Sequence, residues 1–270
     1  MIADLDCLGP TIFHNRLERT RGNPEEENIY ELMHAEREGY AYNELVVHLP
    51  MHALVNPERV LVMGGGTLFS TREILRHPSI RAVDVVDYDP DITEITIQHY
   101  DPTIQGVRDD PRVTIHNEDI RSFLQGQPPE TFDAVVDDMI DIVRVEDRWV
   151  LELFPSIARV LKREGLFSTY LYSSWYHTDL NYAIVDKLRS AGLDRVMATA
   201  EDVFHYSWPE GYSSYICAAK KWPLSLEGTN EACAQAYLER RTRTRQYHPK
   251  IHGFERWIGK DDALQGKVQV

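Results

Sequence analysis

Cysteine is scarce in this chain. Cys7, Cys217 and Cys233 stand far apart and in no metal-ligand spacing. That excludes a disulfide framework or a zinc-thiolate centre and suits a reducing compartment. Long apolar runs are missing too: no stretch approaches twenty residues, mean hydropathy is -0.41, and no membrane span is expected. Basic charge is in short supply, with 29 Lys and Arg against 43 Asp and Glu and a formal charge of -14. General nucleic-acid binding, which needs clustered cations on phosphates, is therefore not expected. The run Arg240, Arg241, Arg243 and Arg245, next to Glu239, reads as a solvated helix face. An acidic chain suits a cationic substrate. Met1 to Pro10 carries two aspartates and no basic stretch, so no secretory leader is expected and the protein is read as cytoplasmic.

What is present is enough apolar residue, 43% of 270, for one large domain or a domain with a small appendage. The organising stretch is Val60-Leu61-Val62-Met63-Gly64-Gly65-Gly66-Thr67, followed by residues able to open a helix and then by Val83-Asp84-Val85-Val86-Asp87. An apolar run ending in glycines, a helix, and a second run ending in an acid is the pattern of a βαβ nucleotide-binding unit. Asp87 follows the glycines by about twenty residues, the distance one helix and one strand require, and so faces the same crevice.

Three parts are expected. Residues 1–40 form a β-hairpin-type appendage, with strands over Thr11 to Arg19 and Asn28 to His34. Residues 41–225 form the main domain, and 226–270 a C-terminal helical segment and tail packed on it. Tyr40 to Leu54 reads as a helix that Pro50 kinks or ends. Beyond the glycines, helices are expected over Thr71 to His77, Pro90 to His99, Arg148 to Leu161 and Asp179 to Ala191. Strands are expected over Ala82 to Val86, Val113 to His116, Phe132 to Val136, Leu166 to Leu171, Val196 to Ala200 and Tyr215 to Ala219, with Trp208 to Tyr212 a loop. That alternation gives an α/β fold with a mostly parallel, doubly wound sheet and ligands at its carboxyl edge. Acids recur there: Asp87, Asp89, Asp119, Asp138 and Asp141. Asp89 reads as a helix cap. Asp119 and Asp138, ending different strands, read as ligand contacts.

These pieces resemble the polyamine aminopropyltransferases, the spermidine and spermine synthases, over about Glu38 to Arg256. The matching motifs are Tyr42-Asn43-Glu44 with His48-Leu49-Pro50; Gly64-Gly65-Gly66 with Arg72-Glu73 and His77-Pro78-Ser79; Asp87 with Asp89; Asp119; Asp138 with Asp141; Trp208-Pro209-Glu210-Gly211; and Tyr247-His248-Pro249-Lys250-Ile251-His252. The resemblance implies a Rossmann-like S-adenosylmethionine-dependent transferase fold, a small N-terminal β appendage and a homodimer or homotetramer. S-adenosylmethionine or its decarboxylated form would be the co-substrate, and no metal is implied. It implies that Asp87 holds the ribose, Asp119 the adenine amine, and Asp138 the acceptor amine as orienter and base. Asp141 would belong to a closing loop, Tyr42 would line the reacting centre, and Gly64, Gly65, Gly66, Thr67 and Asn43 would belong to the donor site. Attack by an amine on a sulfonium carbon needs a neutral, positioned nitrogen and carboxylates that compensate the cation.

The chain departs from the family at telling places. Where the family has Gly-Gly-Gly-Asp-Gly-Gly, this chain has Gly64-Gly65-Gly66-Thr67-Leu68-Phe69, which removes the acid on the donor's free amine and implies a bulkier, differently shaped loop. Asp-Ser-Ser-Asp-Pro becomes Asp138-Met139-Ile140-Asp141-Ile142, and Trp208 replaces a loop tyrosine. With Tyr212 these either line the acceptor site with apolar surface or pack the closing loop on the domain; on the first reading the acceptor is expected to be a small molecule or modified peptide bearing an amine, in place of plain putrescine. Three readings stand: transfer of an aminopropyl or 3-amino-3-carboxypropyl group, methyl transfer from the same pocket, and a non-catalytic regulatory or scaffold subunit.

Overall fold

In the computed structural model the described residues are 2–5, 9–18, 27–35, 42–99, 103–139, 145–172, 178–199, 203–204, 212–221 and 257–258. Strands β1 (Ile2–Leu5), β2 (Gly9–Glu18) and β3 (Glu27–Ala35) pair antiparallel in that order as a three-stranded sheet. The second sheet has nine strands among the described residues. Five of them are parallel: β4 (Arg59–Gly64), β5 (Ala82–Val86), β6 (Val113–His116), β7 (Phe132–Asp138) and β8 (Leu161–Tyr172). Their spatial order is β6-β5-β4-β7-β8. The chain therefore winds one way from β4 through β5 to β6 and the other way through β7 to β8. A crevice opens where the direction reverses, at the carboxyl end of β4.

Beyond β8 the sheet turns antiparallel. β9 (Arg195–Thr199), β10 (Val203–Phe204), β11 (Tyr212–Ala219) and β12 (Trp257–Ile258) join so that β11 lies between β8 and β9, β10 pairs with β11, and β12 with β9. The fold is the Rossmann-like α/β arrangement read from the sequence. The middles of its central strands are apolar, Val60 to Met63 and Ala134 to Val136 being fully buried, as strands covered by helices on both faces must be. Among the described residues no helix is long and apolar enough to cross a membrane.

Helix α1 (Asn43–Ala53) carries Pro50 within it. A proline removes the hydrogen bond that its N–H would give to the carbonyl four residues back. Here that carbonyl, Val46 O, accepts from Ser168 Oγ on β8 at 2.7 Å. The helix runs on past Pro50 because the sheet supplies the missing donor, which residue order alone does not reveal.

Several boundaries move from the sequence expectation. α2 spans Phe69–Ile74, starting two residues early, and α3 is Pro90–His99 as expected. Two short helices went unread: α4 (Thr103–Arg108) and α5 (Ile120–Gly126). The stretch expected as one helix is a 3-10 segment, Val145–Leu153, and then α6 (Phe154–Val160), because β8 already begins at Leu161. α7 is Thr178–Ser190. β7 runs through Asp137 and Asp138 instead of ending before them, and Tyr212 opens β11 instead of belonging to a loop. Of the C-terminal stretch expected as helix and tail, Trp257–Ile258 is strand and the rest lies outside the described residues.

Candidate active site

β4 ends in a turn that only glycine can make. Gly64 and Gly65 have φ of +72° and +77°, in the left-handed region where a side chain is strained. Space is equally tight: a β-carbon on Gly64 would stand 2.6 Å from the Asp138 carbonyl oxygen, and one on Gly66 would stand 2.7 Å from Asp87 Oδ2. The glycines thus let the turn lie directly on the ends of the two neighbouring strands. Leu68 and Phe69 stand at the positions of two family glycines. Both side chains are buried in the core, while Leu68 keeps a left-handed φ of +62°. That conformation costs roughly 1–2 kcal/mol, and burying the leucine returns about 1.5–3 kcal/mol.

Asp87 closes the turn from the β5 side. Its Oδ2 accepts the Gly66 N–H at 2.8 Å and its Oδ1 accepts the Asp89 N–H at 3.0 Å. Thr93 donates to the Gly66 carbonyl at 2.8 Å, fastening α3 to the same loop. A carboxylate has about four acceptor positions, so Asp87 retains capacity for two further donors such as vicinal hydroxyls. Asn117 Nδ2 reaches the Asp87 carbonyl at 3.3 Å, tying the loop after β6 to this corner. Thr67, partly buried, occupies the turn itself.

Asp138 closes it from the β7 side, opposite Gly64 in the parallel ladder. Burial pushes its carboxyl up to about 7, against the pull of hydrogen bonds from the Ser70 and Tyr42 hydroxyls, with Asp137 and Asp87 adding repulsion. Asn43 Nδ2 donates to Ser70 Oγ at 3.0 Å, so a chain of donors runs from α1 through α2 to this carboxylate. Its second oxygen, Oδ2, is shielded from solvent and has no hydrogen-bond partner among the described residues. It faces the turn, 3.2 Å from where a Gly65 β-carbon would be. A buried acceptor without a donor costs about 1–3 kcal/mol, which a ligand carrying an N–H would relieve.

Tyr42 is held by Tyr170, edge-on with ring centroids 5.9 Å apart, and by Tyr215 at 6.3 Å. Burial, and then the charge of Asp138, raise its phenol well above the ordinary value, so it stays a donor. Asp137, one residue before, is pushed up to about 6 by burial. It accepts from Thr169 Oγ1 at 2.9 Å and from the Met139 N–H at 3.3 Å. Met139 packs partly buried against the core beside Gly64.

Asp119 is placed otherwise. It caps α5, accepting the Arg121 N–H at 2.8 Å, and the Arg121 guanidinium grips both its oxygens. That hydrogen bonding holds its carboxyl below the usual range, and Arg121 also stacks over Trp149. Asp141, Ile140 and Trp208 lie outside the described residues, as does the Tyr212 side chain. The structure therefore brings together Gly64, Gly65, Gly66, Thr67, Asp87, Asp138, Tyr42 and Asn43, and adds Ser70 and Asp137. Ser70 carries no sequence signal, because its contact with Asp138, between the start of α2 and the end of β7, forms only in the fold.

Comparison with known proteins follows the same outline. Residues 39–224 match the family model of the spermine/spermidine synthase domain. Spermidine synthase 2 of Datura stramonium is 30% identical over 199 residues, covering 70% of this chain and 59% of that protein. Putrescine N-methyltransferase 2 of Nicotiana attenuata is 29% identical over 203 residues, covering 71% of this chain and 51% of that protein. The matched stretch is thus less than two thirds of the length of either relative. Among solved structures, spermidine synthase from Thermotoga maritima superposes with a TM-score of 0.73 at 20% identity, over 94% of this chain and 79% of that one. At that identity the likeness is one of fold.

Proposed function

The chain belongs to the spermine/spermidine synthase family, and from that premise we propose that it transfers a three-carbon amine chain, aminopropyl or 3-amino-3-carboxypropyl, from an S-adenosyl donor to an acceptor amine. The observation that carries this reading is Asp138: a carboxylate poised near neutrality, with one oxygen held by Ser70 and Tyr42 and the other buried beside the glycine turn without a donor among the described residues. The nucleoside would lie over Gly64 to Gly66 with its ribose hydroxyls on Asp87. An acceptor ammonium would give one hydrogen bond to Asp138 Oδ2. As its nitrogen loses a proton to Asp138, its lone pair attacks the carbon next to the sulfonium. The C–S bond breaks, its electron pair stays on sulfur, and a neutral thioether, methylthioadenosine, leaves. A base whose pKa lies near the working pH combines a large ionised fraction with a useful proton affinity.

Methyl transfer is the second reading, favoured by the likeness to a putrescine N-methyltransferase. The same residues would act, with the methyl carbon as target and S-adenosylhomocysteine as product. Incubating the protein with each donor and a metabolite extract, then searching by mass for added aminopropyl, aminocarboxypropyl or methyl groups, separates the two. A product lacking all three would remove both readings.

A further inference from the structure

We propose that His48, His52 and His77 form a binding site for one zinc-class divalent cation, distinct from the nucleoside crevice. His48 and His52 stand four residues apart on α1 and so share one helix face. His77 comes to them from the turn after α2, with ring centroids 5.0 Å from His48 and 5.1 Å from His52. One ligand nitrogen from each lies within 4.8 Å of the other two. His48 and His52 are five and nine residues beyond Asn43, roughly 7 and 13 Å along the helix, so the cluster lies further down α1 than the residues that meet Asp138.

What favours a cation over a simple hydrogen-bonded cluster is the shell behind it. His48 Nε2 lies 3.2 Å from the carboxylate of Glu73, itself fully buried. Donation there fixes the His48 tautomer with its Nδ1 lone pair turned to His77 Nε2, 2.8 Å away. A carboxylate on the far nitrogen of an imidazole is the usual partner of a metal-ligating histidine, orienting the ring and raising its basicity. Glu73 is locked in turn by Arg72 Nε at 3.1 Å and Arg76 Nη1 at 2.8 Å, and Arg76 is half exposed, so water screens its charge. With neutral imidazoles, one proton occupies the His48–His77 contact, and that proton is what a cation would displace. At metal–nitrogen distances near 2.0–2.1 Å, tetrahedral ligands stand roughly 3.3 Å apart. The 2.8 Å pair need open only by about half an ångström while the third ring draws in. Three imidazoles suit zinc, cobalt, nickel or copper and not magnesium or calcium, which take oxygen. His52, partly exposed where the other two are buried, is the side of entry.

The test is titration of chelator-stripped full-length protein with Co²⁺, read by the visible absorption of a tetrahedral nitrogen site, followed by displacement with Zn²⁺. The expected result is one equivalent per chain, a rise in Tm with Zn²⁺, and loss of both in His52→Ala. Losing a ligand should weaken binding by more than the roughly 10–100-fold that loss of its outer-shell partner costs. His52→Gln, which preserves bulk, should lose binding equally. The chain's other His-x-x-x-His pair, His248 and His252, is the control, and His248→Ala with His252→Ala should leave the signal intact. Absence of the cobalt band in wild type, its persistence in both His52 variants, or its loss with the His248 and His252 changes would each overturn the proposal.

Discussion

The Asn43 side-chain amide donates to Ser70 Oγ at 3.0 Å, and the Ser70 hydroxyl passes that orientation on to Asp138. Two helices that flank the crevice are thereby joined through one carboxylate oxygen, and the other oxygen is left to a ligand.

Ser70→Ala should therefore raise the apparent pKa governing turnover, since it removes a hydrogen bond that stabilises the ionised carboxylate. At neutral pH the rate should fall by about ten-fold, the size of one hydrogen bond to a charged group of about 1.5 kcal/mol. Ser70→Thr should restore the profile. A uniform drop at every pH would instead mark Ser70 as a packing residue.

Asp138→Asn keeps shape and removes the base, so turnover should fall by at least ~100-fold, the lower end for loss of a general base. Binding of methylthioadenosine should survive. The same variant should alter stability against pH. Asp138 titrates near 7 when folded and near 3.8 when unfolded, so the folded protein holds an extra proton between those values. Stability is then highest at the acidic end and declines as pH rises through 7, by as much as roughly 4 kcal/mol from this group alone. Chemical denaturation of the Asn variant at pH 5 and 8 should show that slope reduced.

Asp87→Ala should abolish the rise in Tm that an adenosyl thioether gives the wild type. Gly66→Ala should do nearly as much by a different route, its methyl standing 2.7 Å from Asp87 Oδ2 and displacing the carboxylate. A normal thermal shift in both variants would take the nucleoside away from this turn.

Strand positions were legible where short runs of Val and Ile stand between turn residues: β5 and β6 fall where the pattern put them, as does the helix α3. Helix ends were less so, since Phe69 opens α2 with its side chain buried and α1 continues through Pro50 on a hydrogen bond from β8. Within the site, Asp87 and Asp138 could be placed from spacing, because the ends of adjacent parallel strands converge. Asp119 could not be told from a cap, because its partner Arg121 is only two residues on and any acid before a helix looks the same. Ser70 and the third histidine, His77, depend on contacts between α1 and α2 that have no sequence period.

Thr67 bears on the choice of donor. The resembled family has at this position an acid that pairs with the donor's terminal ammonium and repels an α-carboxylate. Two unit charges ~4 Å apart interact by roughly 1–4 kcal/mol between bulk water and a protein-surface dielectric, enough for about ten-fold selectivity or more. Thr67 has no charge, lies partly buried in the turn, and offers a hydroxyl that can donate to a carboxylate. Of the two acids that flank the turn, Asp87 has its remaining acceptor capacity taken by the ribose hydroxyls and Asp138 Oδ2 by the acceptor amine in the proposed reading, so neither stands in for the missing one while both substrates are bound. Intact S-adenosylmethionine should accordingly bind at least as tightly as its decarboxylated form when both are measured by calorimetry. Thr67→Asp should swing the preference toward the decarboxylated donor by about ten-fold or more. A ten-fold wild-type preference for the decarboxylated donor would defeat the argument and return the chain to ordinary aminopropyl transfer.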